Sequence, residues 1–235
     1  MSKQDIEELE NSLRYYFKDK ALLLDAVTHR SFYHENPDTA HSQNERLEFL
    51  GDSVLGFVVV EYLFKLEKDY SESTMSKIKS YLVKEAVLFN VAESISLGTH
   101  LRLGKGEKET GGRGKKSILA DALEAVFGAI YIDGGYERAR DVILRLLQDK
   151  INAAVSSEQF YDFKTDLQEK SQVMFGVLPR YVTVKQEGEE HKKIFTVEVY
   201  IKGDRLGKGS GRSKKEAETA AAKEALSKIK ASENP

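Results

Sequence analysis

Apolar residues recur every three or four positions from Gln4 to about Asn152, and none of the chain's three prolines interrupts those runs. The pattern fills ALLLDAVTH, VLGFVVVEYLFKL, MSKIKSYLVKEAVLFNVAESI and SILADALEAVFGAIYI, which makes this stretch a set of packed helices. HENPDTAHSQ and the Gly- and Lys-rich GKGEKETGGRGKKS separate the runs and read as loops, the second mobile. Near AAVSSEQFYD the period changes. Beyond it come a helix in FKTDLQEKSQVMF, alternating strands in PRYVTVKQE and KIFTVEVYIKG, a third strand in RLGKGSGRS and a helix from Lys214 to Ile229. Helix, three strands and helix make a small α+β domain with both helices on one sheet face. The expected organisation is an all-α domain over 1–154, a linker over 155–161 and an α-β-β-β-α domain over 162–231.

The 235 residues suffice for two cores. A formal net charge of -2 is silent on any polyanionic partner, but Lys202 to Lys215 holds six basic residues against the single Asp204. The absence of cysteine excludes disulfide scaffolds and thiolate metal sites and suits a reducing compartment. MSKQDIEELE is acidic and unlike a secretory signal. The longest uncharged apolar stretch, SVLGFVVV, falls far short of the roughly 20 residues of a membrane span. A cytoplasmic protein without a membrane anchor is the expectation.

The helical region carries an anomaly in NERLEFLGDSVLGFV. At about 100° per residue, Glu45, Glu48 and Asp52 fall within roughly 60° of one another, while Leu47, Leu50, Val54, Phe57 and Val58 gather opposite as a core face. A solvated face mixes signs, because like charges a turn apart repel. Asp121 and Glu124 likewise share one face of the otherwise apolar SILADALEAVFGAIYI, and an unpaired buried carboxylate costs several kcal/mol or stays protonated. A bound cation would resolve both. With oxygen donors only, and no histidine pair at ligand spacing, Mg²⁺ is favoured, with Mn²⁺ as a substitute. Such clusters commonly serve phosphoryl transfer. The alternative is that these acids cap helices or pair with Arg46, Arg30 or Lys116. Gly51, Gly56 and Gly128 mark close approach, either of a ligand or of another helix.

NERLEFLGDSVL resembles the signature of the ribonuclease III family, and SILADALEA resembles its second acidic motif. The C-terminal region looks like a double-stranded RNA-binding domain, so the resemblance spans nearly the whole chain. It implies an endonuclease domain whose metal quartet is Glu48, Asp52, Asp121 and Glu124, with Asp52 and Glu124 the most sensitive to mutation. Glu45 matches an acid near the scissile backbone, and Glu72 one that organises the site across a homodimer. Phe49 matches a side chain that packs on the partner subunit, with a plain core position as the rival. The resemblance further implies cleavage of double-stranded RNA to 5′-phosphate and 3′-hydroxyl ends with two-nucleotide 3′ overhangs, and processing of ribosomal RNA precursors.

Duplex RNA offers a wide minor groove and phosphates rather than a readable major groove. Three contact regions follow: Gln168, Glu169 and Gln172 on the first helix; His191 in the loop QEGEEHKK, which Glu187, Glu189 and Glu190 make acidic; and Arg212, Lys214 and Lys215 at the start of the last helix. Lys115 and Lys116 are further candidates in the first domain.

Overall fold

The computed structural model describes residues 2–66, 70–189 and 191–233. The chain divides into two compact units: Met1–Glu67 with Met75–Glu158, and Lys68–Thr74 with Gln159–Pro235.

The helices of the first part are α1 (Lys3–Leu13), α2 (Lys20–Ala26), α3 (Arg30–Glu35), α4 (Glu45–Lys65), α5 (Glu72–Leu82), α6 (Glu85–Ser94), α7 (Leu97–His100), α8 (Lys105–Glu109) and α9 (Lys116–Ser156). α4 lies along α9 in the most extensive helix pair of the unit. Leu55, Val58, Val59 and Leu63 are buried on α4, and Leu123, Val126, Phe127 and Ile130 on α9. Two glycines set its closeness. A β-carbon at Gly51 would overlap the Glu124 carbonyl, and one at Gly128 would overlap the Leu47 carbonyl. Gly51 and Gly128 therefore serve helix packing, whereas Gly56 faces only the side chain of Lys79.

Two expectations need correction, and one helix is longer than its motif. Phe57 is 59% exposed, not core, because α4 is apolar on nearly every side and the pattern does not reveal which side is covered. The presumed mobile loop after Leu103 contains α8 and a 3-10 turn at Gly112–Gly114, held by Lys115 on Glu107 at 2.6 Å and by Arg113 on the carbonyls of Gly98 and Thr99. The SILADALEA helix runs on to Ser156, interrupted at Gly135, where φ is +79°, a value that only glycine adopts freely.

In the second unit, α10 (Phe163–Phe175) and α11 (Lys214–Glu233) pack on an antiparallel sheet of order β1 (Arg180–Glu187), β2 (Ile194–Ile201) and β3 (Asp204–Gly211). The alternation in β2 turns Val197, Val199 and Ile201 into the core, with Leu167 and the face of α11 formed by Ala217, Ala221, Ala222 and Ala225. β-Carbons at Gly207 and Gly209 would overlap the backbone of α11. The glycines of β3 and the alanines of α11 are thus one device for close helix-on-sheet packing.

Candidate active-site cleft

A short strap, Val27–His29, fixes one side of an open cleft in the first unit. Arg102 donates its N–H to the Val27 carbonyl at 2.8 Å, and His29 donates to the Arg102 carbonyl at 3.0 Å. Asn44 donates to the Thr28 carbonyl at 2.9 Å, which ties the start of α4 to the same strap. Glu45 and Glu48 then follow in the first turn of α4, while the interlock of Gly51 with Glu124 brings α9 alongside. The resulting cleft, of about 610 Å³, is lined by Glu45, Glu48 and Asp121 and, opposite in character, by His29, Arg30 and Lys115.

One carboxylate oxygen each from Glu48, Asp121 and Glu124 lies within 4.8 Å of the other two. Burial, with Asp52, Glu48 and Asp121 nearby, pushes the Glu124 carboxyl up to about 8. Burial and the acids Asp121, Glu45 and Asp52 raise Glu48 as well, and burial followed by Glu85 raises Asp121 against a lowering from Arg30. Among the described residues no side chain donates a hydrogen bond or forms an ion pair with any of the three. Pairing with Arg46 or Lys116 is therefore absent, and Arg30 reaches only Glu45, at 3.8 Å. Three half-buried, mutually repelling carboxylates with no cationic partner are a donor set that fits a hard divalent cation.

Asp52, the fourth expected ligand, is exposed on α4 and acts on Glu124 through its charge, outside the 4.8 Å group. Glu45 is exposed at the cleft, where it also accepts from Gln43 Nε2 at 3.1 Å. Glu72 opens α5 and is exposed. Phe49 is 80% exposed beside the cleft and so is not a core residue; Phe64 is 76% exposed on the same helix.

The motif reading passed over His29 and Asn44, and it weighed Arg30 only as a partner for the acids. The signal was there: in THRS, a histidine precedes a short helix as its cap, and in NERLE, an asparagine precedes the acidic one. His29 Nδ1 does accept from the Ser31 N–H at 3.2 Å.

In the second unit Gln168, Glu169 and Gln172 are exposed on α10, and His191 is exposed between β1 and β2; Glu190 lies outside the described residues. Arg212, Lys214 and Lys215 are exposed at the start of α11. That start is fastened by Glu216, whose N–H donates to Ser213 Oγ at 3.1 Å and whose carboxylate accepts from the Arg212 N–H at 2.8 Å. No ion pair among the described residues engages those three cationic side chains. Lys115, by contrast, is held by Glu107, and Lys116 sits over the Phe89 ring at 5.6 Å.

Comparison with known proteins agrees with this division. Residues 19–151 match the model of a Ribonuclease-III-like family, and residues 163–229 match a double-stranded RNA binding motif. Fold and cleft thus define the class: a helical nuclease joined to an RNA-binding domain. The chain is 45% identical over 218 residues to Ribonuclease 3 of Syntrophotalea carbinolica, covering 93% of this chain and 94% of that one. It is 49% identical over 221 residues to Ribonuclease 3 of Caldanaerobacter subterraneus subsp. tengcongensis, covering 94% and 96%. The nuclease domain of Ribonuclease III from Campylobacter jejuni superposes with a TM-score of 0.57 at 46% identity, over 61% of this chain and 96% of that one. The chain belongs to the ribonuclease III family and is an endoribonuclease of that family.

Proposed function

We propose that this endoribonuclease hydrolyses double-stranded RNA at the cleft of Glu48, Asp121 and Glu124, with Mg²⁺ as the cation these carboxylates hold and Mn²⁺ as its substitute. The observation that carries the reading is the unpaired carboxylate group itself, within 4.8 Å and without a cation from the chain. When bound, the metal polarises a phosphate oxygen and lowers the pKa of an attacking water.

The chain's own residues do the rest. Glu48, Asp121 and Glu124 would supply the ligand oxygens, and Glu124, whose carboxyl burial and the neighbouring acids push up, would hold the cation in its ionised form. Asp52 adds negative charge at the exposed side, and Glu45 stands where the RNA backbone passes. Arg30 neutralises part of the field at Glu45. In the second unit, Gln168, Glu169, Gln172 and His191 are assigned to minor-groove contacts, and Arg212, Lys214 and Lys215 to phosphates.

Self-association into a homodimer is part of the proposal. Phe49, Phe57, Phe64 and Ile132 are exposed apolar side chains on α4 and α9, a feature that marks interaction surfaces. The structure of the Campylobacter jejuni nuclease domain is described as flexible in a region involved in dimer formation. Two facing sites, with Glu72 contributing across the dimer, would cut both strands and leave 5′-phosphate and 3′-hydroxyl ends with two-nucleotide 3′ overhangs. Ribosomal RNA precursors in the cytoplasm are the proposed substrates.

The test is incubation of the purified chain with a labelled RNA hairpin in Mg²⁺, then in EDTA or Ca²⁺, followed by end mapping. Staggered, Mg²⁺-dependent cuts are expected. Binding without cutting in Mg²⁺ or Mn²⁺ would leave a duplex-RNA-binding protein instead.

A further inference from the structure

Beside Arg30 and Lys115, the wall facing the acids carries two neutral polar side chains that the metal site does not use. His29 and Asn44 both line the cleft. One directed hydrogen bond assigns the role of His29 Nδ1: it accepts from the Ser31 N–H at 3.2 Å, as the cap of α3. Ser31 Oγ, which accepts from the Gly104 N–H at 2.9 Å, lies 2.8 Å from the same nitrogen. With Nδ1 as acceptor, the proton of the neutral ring is assigned to Nε2. That N–H has no acceptor among the described residues. Asn44 is 4% exposed, yet its side chain makes no hydrogen bond among the described residues either, and it borders the same cleft. The residue as a whole is covered, but its amide stays reachable from the cleft, where an incoming acceptor can meet it.

We propose that His29 Nε2–H and the Asn44 side-chain amide form a neutral donor wall that grips a non-bridging phosphate oxygen of the RNA strand entering the cleft. Neutral donors suit this position for an electrostatic reason. A lysine or arginine at either place would lie against Glu45, Glu48 and Asp121, pair with them, and weaken the field that draws the divalent cation. A neutral N–H stabilises the phosphate without competing for the carboxylates. The two cations on this side are already engaged by acids, Arg30 with Glu45 and Lys115 with Glu107. The Ser31 N–H on Nδ1 holds the ring in place, so the contact is preformed before RNA binds. His29 and Asn44 are positioning residues for the substrate; they take no proton from it.

The inference rests on the duplex-RNA reading, and the experiment separates the two. The full chain is assayed on a labelled RNA hairpin in Mg²⁺, and cleavage by the wild-type protein tests the nuclease reading alone. His29→Ala is expected to lower kcat/KM roughly 10- to 100-fold, the range for a lost hydrogen bond to a charged group. Its thermal midpoint falls by no more than the lost cap of α3 accounts for, and the affinity of the site for Mn²⁺ stays at the wild-type value. His29→Gln keeps an N–H near the reach of Nε2 and recovers most of the loss. The slope of log(kcat/KM) against log salt stays unchanged in His29→Ala, since no cation is removed, but falls by about one in Arg30→Ala. Asn44→Ala behaves as His29→Ala does. An unchanged kcat/KM in His29→Ala overturns the proposal, as do equal losses in the Ala and Gln variants that track a fall in thermal midpoint; His29 is then only the cap of α3. If the wild-type protein binds the hairpin without cutting it, the same comparisons are made on the binding constant and its salt slope.

Discussion

Glu124 shows how far one side chain's titration reports on its neighbours. Its carboxyl ionises near 4.5 when free and near 8 in the folded chain without metal, through burial and the charges of Asp52, Glu48 and Asp121. Between those values the folded protein holds a proton that the unfolded chain has lost. The stability this group contributes is therefore fully present below about pH 4.5 and is lost as pH rises through about 8. Urea unfolding in EDTA, from about pH 5 to about pH 9, should show the wild-type protein losing stability relative to Glu124→Gln across that window. Parallel profiles would mean that Glu124 is not perturbed. The pairing of Asp121 with Glu124 was legible from their spacing on an apolar helix. The grouping of Glu48 with Asp121 and Glu124 was not, because helix phase gives a direction and no distance. The meeting of Ser31 with Gly104 beside His29 was equally hidden, since the two are far apart in the chain.

At the scale of elements, the two glycines between α4 and α9 join packing to chemistry. Gly51→Ala places a methyl group on the Glu124 carbonyl, so the helices must part. The expected cost is about 1–3 kcal/mol or more, as for overpacking generally, measured by urea denaturation. Cleavage should fall with it, because the same shift moves Glu124 from Glu48. A wild-type unfolding midpoint would show that the helices do not interlock there. The strands β1 and β2 were readable because PRYVTVKQE and FTVEVYIKG alternate apolar and polar residues. Phe57 was misread because α4 is apolar all round, and periodicity cannot tell a face covered by α9 from an uncovered one. The stretch between Leu103 and Lys116 was misread because its composition is that of a loop, while its order comes from Lys115 on Glu107 and Arg113 on the carbonyls after Ser96.

At the scale of the whole molecule, the two units divide the work, one carrying the carboxylates and the other the exposed Lys214 and Lys215 at the start of α11. Lys214→Ala with Lys215→Ala should weaken duplex binding and lower its log K against log salt slope by roughly two, one for each phosphate that no longer meets a lysine. An unchanged slope would remove both lysines from the interface. The two-domain order was legible from the change of period near Ser156 and the motifs that flank it. What composition concealed was the charge division, since a net charge of -2 averages an acidic cleft with a basic helix start. The claim on which the rest depends is that the carboxylate group is the catalytic centre, and single-turnover cleavage of a labelled RNA hairpin by Glu124→Gln tests it most directly. Loss of cleavage in Mg²⁺ with duplex binding near the wild-type constant is the expected result. Cleavage at a near wild-type rate would contradict it and place the chemistry elsewhere in the chain.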